Sequence, residues 1–393
     1  NGNSTALGYR ALKTQNAGAE SYNVAVGVDA GLSVTTGVNN TLIGGGSGDA
    51  ITTGGTNTFV GGFSGSSLTE GGNNVAMGYD ALLTDTKGSH TVAVGRQALK
   101  VQNFTSATDS HNTAVGNNAG QAVTTGTENT IVGSNAGYAF TTGGNNVAIG
   151  KGALSTETAG NNNVAIGHGA LDTQNNTGGG NVYNNALGYS AGAAITTGAY
   201  NTLMGGFAGD AITTGGSNIC LGYGADVANN DNNNSIVIGV NIEGASNDFS
   251  FGKASNVVTN DFNTDANWSR SSDQRLKKNI TDQKLGLDFI NDLRTVKYNW
   301  KPNDELDASD AQLAHLRRED DDGNIINDMN TEATMHNFIA QEVKAALDTA
   351  GVSDFSGWSE DQYGVQQVSR EMFVIPLVKA VQELSAKVDA LET

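Results

Sequence analysis

The segment Ser272-Asp273-Gln274-Arg275-Leu276-Lys277-Lys278-Asn279-Ile280 places a serine hydroxyl five residues ahead of a lysine amine. It does so at the boundary between two halves of different composition. Such a pair suits acyl transfer at a peptide bond, the hydroxyl attacking a carbonyl while a neutral amine takes its proton. A lysine is neutral near pH 7 only when desolvated or crowded by positive charge. Arg275 and Lys278 either help to depress its pKa or are solvated charges. Spacing of this kind is common, so the weight falls on its surroundings, which make the segment look like a self-cleavage site.

Upstream, the chain repeats. The pattern Asn-(small or β-branched)-apolar-apolar-Gly recurs with its glycine at Gly27, Gly44, Gly61, Gly78 and Gly95, then Gly116, Gly133, Gly150 and Gly167, then Gly188, Gly205, Gly222 and Gly239. The period is 17, broken twice by 21, and an offset copy at Gly8 brings the count to 14. Each unit reads as a short strand such as Asn146-Val147-Ala148-Ile149, a glycine corner and a Thr-Thr-Gly or Asn-rich turn. Seventeen residues cannot bury an apolar face alone, so coils must stack on their neighbours. Ala30, Ala81, Ala98, Ala119, Ala136 and Ala153 suit a narrow interior, and the extra residues near Gln102 to Ser106 and Asn176 to Gly180 behave as loops on the stack.

Several chemistries are disfavoured. Gly44-Gly45-Gly46-Ser47-Gly48-Asp49 sits at a repeat corner and lacks a phosphate-loop lysine. The Thr pairs at Thr52, Thr124, Thr141, Thr196 and Thr213 fit turn chemistry better than an ice-binding array. No copy has the carboxylates of a calcium coil, no carboxylate pair suits glycoside hydrolysis, and no metal or cofactor is expected. Cys220, alone, forms no intrachain disulfide and reads as a buried apolar residue. The net charge of −19 opposes nucleic-acid binding, and no apolar run is long enough for a membrane span. No leader opens the sequence, which fits cytoplasmic synthesis, and the opening inside a repeat is that expected if an upstream region is absent.

Downstream lies a different composition. Residues 1 to 250 hold six of the 21 basic residues and none of the three tryptophans. Lys284 to Leu293 has near-helical apolar spacing, Val296-Lys297-Tyr298-Asn299-Trp300 alternates like a strand, and Asp320 to Asn324 reads as a polar turn. In the last segment Leu377, Val381, Leu384, Val388 and Leu391 follow at steps of 4, 3, 4 and 3, a seam of period 3.5 that seeks a partner. The expected fold is mainly β: a parallel β-roll or solenoid of about 14 coils over 1–255, a linker over 256–271, and an α+β domain over 272–393 ending in a coiled-coil helix.

Residues 272–393 resemble the C-terminal intramolecular chaperone of phage tail spikes, tail fibres and endosialidases, the S74-type autopeptidases. Four ordered blocks carry the resemblance: Ser272 to Ile280, Leu287 to Arg294, His336 to Val343 and Pro376 to Leu384. Asn337 departs from the family, which often has glycine there. Residues 1–255 resemble the head repeats of trimeric autotransporter adhesins through units such as Ala148-Ile149-Gly150-Lys151-Gly152-Ala153. Those heads use a shorter period, and a wider single-chain solenoid is the alternative.

The resemblance implies a homotrimer in which Ser272 is the nucleophile and Lys277 the base, with Arg275 and His336 supporting and cleavage at the Ser272-Asp273 junction. Attack by Ser272 on its own carbonyl would close a four-membered ring, so the hydroxyl acts on the preceding carbonyl or across protomers. It further implies a virion-borne host-adhesion fibre that binds a surface receptor, glycan or protein, and joins an upstream virion component. A polysaccharide depolymerase and a cell-surface adhesin or membrane-bound regulator, each with the same chaperone, are the alternatives.

Overall fold

The computed structural model describes every residue except 1, 2, 19, 255, 263–268, 271, 272, 321, 328, 330 and 393. The chain forms two compact units, Asn1–Ser271 and Ser272–Thr393. The first is a parallel β-solenoid of about 15 turns with a period near 17 residues. Its main sheet has seventeen strands, of which the last two pair antiparallel and the rest stack parallel. Neighbouring coils are in register, Val147, Ala148 and Ile149 lying against Val164, Ala165 and Ile166.

The count exceeds 14 because Asp248–Lys253 continues the stack with Gly252 as one more corner. That coil is shorter than 17 residues and therefore falls outside the period. In the segment read as a linker, Asn256–Asp261 runs back along Asp248–Lys253 and extends the sheet. The corner glycines are required by geometry: Gly150 has φ 128°, and a Cβ there would strike the carbonyl of Gly167 in the next coil.

Each coil closes around its own core, and the alanines named above are fully buried. The structure also reveals two kinds of coil. In one, the fourth residue after the corner is glycine and the seventh is a buried apolar residue, as in Gly137 with Phe140 or Gly192 with Ile195. In the other, the fourth is leucine and the seventh polar: Leu12 with Gln15, Leu82 with Asp85, Leu99 with Gln102, Leu154 with Glu157 and Leu171 with Gln174. The two positions share one volume, since a Cβ on Gly137 would collide with the Phe140 ring. One large apolar side chain enters from one position or the other.

The polar seventh residues serve the long coils. Asp85 accepts from Gln102 Nε2 at 2.7 Å and from the backbone N–H of Phe104 at 3.1 Å, which anchors the first insertion. Burial raises the Asp85 pKa above the usual carboxylate range, with these hydrogen bonds opposing. Glu157 repeats the arrangement, accepting from Gln174 Nε2 at 2.9 Å and from Asn176 N at 3.1 Å. Each insertion also adds a short parallel pair, Gly88–Ser89 with Thr108–Asp109 and Gly160–Asn161 with Gly180–Asn181.

A column of buried asparagines joins the coils. Asn146 Oδ1 accepts from the backbone N–H of Asn163 at 2.9 Å, while Asn146 Nδ2 donates to the Gly160 carbonyl at 2.9 Å. The Asn146 N–H donates in turn to Asn129 Oδ1 at 3.0 Å. The column satisfies backbone groups that the short strands leave unpaired inside the protein. Along the turn edge, Thr52 and Thr124 hydroxyls donate to the carbonyls of Thr69 and Thr141, at 3.1 and 2.9 Å. These threonines tie each coil to the next rather than closing a turn within one coil.

The second unit packs α1 (Leu287–Asn291), α2 (Ala340–Ala350) and α3 (Val374–Glu392) with two small antiparallel pairs, Val296–Tyr298 with Met335–Asn337 and Trp358–Glu360 with Gln366–Val368. Phe289 and Phe373, with ring centroids 6.2 Å apart, centre a core that includes Leu285, Val343 and Leu347. Helix α2 ends on Gly351, whose φ of 63° suits the left-handed cap.

Replacing Asn146 by alanine removes the acceptor of the Asn163 backbone N–H and Nδ2 and the donor to the Gly160 carbonyl, all of them buried. The expected loss is about 1–3 kcal/mol, read as a lower midpoint in chemical denaturation. An unchanged midpoint would remove the asparagine column from the account of stability.

Candidate functional site

Ser272, and with it the Ser272-Asp273 junction, lies outside the described residues. From Asp273 onward the local structure is a single 3-10 turn, Gln274–Leu276, capped by the Asp273 side chain, which accepts from the Arg275 N–H at 2.9 Å. Arg275 also pairs with Asp273 through its guanidinium at 2.6 Å. That pairing lowers the Asp273 pKa below the usual range and raises that of Arg275. Arg275 is therefore engaged with a carboxylate, which offsets the positive charge it would bring to a neighbouring lysine. Lys277 follows the turn, its N–H donating to the Gln274 carbonyl at 3.0 Å. Every residue from 273 to 280 is exposed in the single chain.

His336 occupies a different place. It sits on the strand Met335–Asn337, opposite Lys297, with its side chain exposed. Its carbonyl accepts from Arg370 at 3.4 Å. Lys297, His336 and Arg370 line a cavity of about 420 Å³ together with Thr295, Val296, Asn337 and Phe338. A larger hollow of about 770 Å³ is lined by Tyr298, Trp300, Leu306, Leu313, His315, Phe338 and Val368, among others. The His315 ring stacks on Tyr363 at 3.9 Å.

Three of the four sequence blocks meet in this unit. Arg294, from the second, pairs with Glu342, from the third, with Nε 3.1 Å from Oε2. The pairing lowers the Glu342 pKa and raises that of Arg294. Glu383, from the fourth, accepts from the N–H of Leu287 at 2.8 Å, which lowers its own pKa and caps α1. The cap is close enough that a Cβ on Gly286 would run into the Glu383 carboxylate. Nothing in the local sequence signals this contact, which spans 96 residues.

Helix α3 buries Pro376 and Ala380 against its own unit. The expected seam remains exposed, with Leu377 at 51%, Val381 at 58%, Leu384 at 49%, Val388 at 45% and Leu391 at 86%. Val374, Ile375 and Val378 are also exposed.

Residues 272–352 match the peptidase S74 family, described as the chaperone of endosialidase. The C-terminal unit thus carries a chaperone domain of that kind. No curated protein and no solved structure matches the chain.

On the solenoid, sequence reasoning overlooked a ladder of rings just past the corners. His168 stacks on Tyr189 at 5.4 Å, Tyr189 meets Phe207 at 5.1 Å, and Phe207 meets Tyr223 at 5.8 Å. The signal was an aromatic one or two places after a corner glycine in four successive coils, hidden by the low aromatic content overall. Among the described residues no three potential metal ligands converge, and no helix is long and apolar enough to cross a membrane.

Two solenoid groups have strongly shifted pKa values without a substrate-like setting. Burial pushes the Cys220 thiol up to about 12, helped by Asp226. Burial pushes Asp226 up to about 7, opposed by the N–H groups of Val227 and Ala211 and helped by Asp210. These N–H groups lie 2.7 and 2.8 Å from its oxygens, so the carboxylate closes the local backbone.

With its folded pKa above the unfolded value near 3.8, Asp226 contributes stability fully present below that value and lost as pH rises through about 7. The melting temperature of the solenoid unit should fall from pH 5 to pH 8.5, and Asp226→Asn should flatten the fall. An equal slope in the variant would assign it to other groups.

Proposed function

We propose that the chain is a phage-type tail fibre or tailspike, a virion protein that serves host adhesion. Its C-terminal domain assembles three copies and is then removed by self-cleavage. The observation that carries this reading is the apolar seam of α3, left open on a unit whose residues 272–352 match the chaperone of endosialidase. A helix presenting Leu377, Val381, Leu384, Val388 and Leu391 at period 3.5 is built to meet copies of itself.

Trimerisation before shaft folding answers a physical difficulty. Each coil contacts only its neighbours, and aligning three long stacks is slow and open to misregister. Joining the tails sets the register and raises the local concentration of the shafts. Removing the tail afterwards takes away the folding nucleus and makes the fibre kinetically stable.

In the cleavage step Ser272 Oγ attacks a main-chain carbonyl while Lys277 Nζ takes its proton, and the amine leaves with a proton returned from the lysine. Water then hydrolyses the ester and restores the hydroxyl. Lys277 is exposed in one chain, so on this reading its desolvation comes from association, which ties cutting to assembly. Adhesion is supported by the rod-like repeat and its partly exposed aromatic ladder, since rings of this kind stack on sugars or protein side chains.

Purified wild type should run on a denaturing gel as two species, one a fragment of about 120 residues. Ser272→Ala and Lys277→Ala should each stay intact. A wild type that never cuts removes the autopeptidase and leaves the assembly role.

Leu384→Asp should shift the uncut protein, carried on Ser272→Ala, from trimer to monomer in light scattering. A trimer that persists would dismiss the helical seam as its basis.

A further inference from the structure

Helix α3 has two faces set one residue apart. Pro376, Ala380 and Glu383 follow at steps of 4 and 3 and turn toward the domain, Pro376 and Ala380 being buried. Leu377, Val381 and Leu384 each come one position later and belong to the exposed seam. Beyond Glu383 every described residue of the helix is exposed. Glu383 therefore stands where α3 leaves its own domain.

What Glu383 holds is the downstream end of the cleavage segment. From Asp273 to Lys284 no residue is buried, and the chain first enters the core at Leu285 and Gly286. There the Leu287 N–H donates to Glu383 Oε2 at 2.8 Å, and the Leu285 N–H donates to Gln283 Oε1 at 3.0 Å. Lys379 Nζ lies 3.6 Å from the other oxygen of Glu383.

We propose that Glu383 is a positioning residue for self-cleavage. It ties the chain end that carries Lys277 to the helix that carries the seam, so joining three helices also fixes where the three cleavage segments leave their domains. This role presupposes the autopeptidase reading and concerns the regulation of that same site.

The source of the cap favours this role. A serine or aspartate at the N-cap would close the start of α1 locally, but that position is Gly286, which offers no side chain. A Cβ there would run into the Glu383 carboxylate, so the glycine and the distant cap fit one another. A helix of five residues has little stability of its own. The start of α1 is thus complete only while α3 is in place.

Length and orientation set the expected effect. Leu285 lies eight positions after Lys277, and Phe289, the next buried residue, lies twelve after it. Slipping of the anchor to Phe289 would dilute Lys277 about its target by roughly twofold. Orientation matters more, since a misplacement of about 1 Å costs on the order of a hundredfold.

The test times assembly and cutting together in full-length chains made by cell-free translation, on native and denaturing gels. Glu383→Ala should form trimers at the wild-type rate and cut about tenfold more slowly. Glu383→Gln, which keeps an acceptor oxygen, should cut near the wild-type rate. Gly286→Ala, which leaves the carboxylate present but displaces it, should slow cutting as Glu383→Ala does.

Trimers of Glu383→Ala that cut at the wild-type rate would overturn the role. Equal loss of assembly and cutting in Glu383→Ala and Gly286→Ala would make the contact structural only, and a Glu383→Gln chain as slow as Glu383→Ala would remove the hydrogen bond as the link. A wild-type trimer that never cuts would instead remove the autopeptidase reading, and this role with it.

Discussion

Every coil of the solenoid must have the same cross-section as the next, and this constraint governs the rest of the unit. Strands of three residues make few hydrogen bonds, and they make them only to the coils above and below. A bulge in one coil would part it from both neighbours. From the corner at Gly8 to that at Gly205, the narrow core is therefore filled by one large side chain at a time, from the fourth or the seventh position after the corner. Gly137 makes room for Phe140, and Leu154 does the same work beside Glu157.

The same constraint explains the buried polar groups. A coil that gains residues must send them outward while its inner perimeter stays fixed. Asp85 and Glu157 hold the start of each insertion by accepting its backbone N–H, and Gln102 and Gln174 complete the column. The asparagines do the equivalent task in coils of standard length. What looks from outside like an irregular spacer is a loop pinned from inside by a carboxylate and an amide.

The two units face the same problem in opposite ways. The solenoid hides a continuous core, whereas the chaperone domain has a small phenylalanine-centred core and leaves α3 largely uncovered. The apolar side chains along α3 are left for a partner, whereas those of the solenoid core are satisfied within its own coils.

The sequence by itself determined the repeat, its glycine corners, the buried alanines and the helical character of the tail, because each follows from short-range periodicity and steric rules that any window of residues displays. It also announced the chaperone domain through blocks long enough to be specific. Only the tertiary structure decided that Gly137 and Phe140 share one volume, that Asp85 reaches Gln102 in the next coil, and that Glu383 caps a helix 96 residues away. It also placed Arg275 beside Asp273 and put His336 on a strand with Lys297. These contacts depend on which residues the fold brings together in space, and spacing along the chain carries no record of that distance.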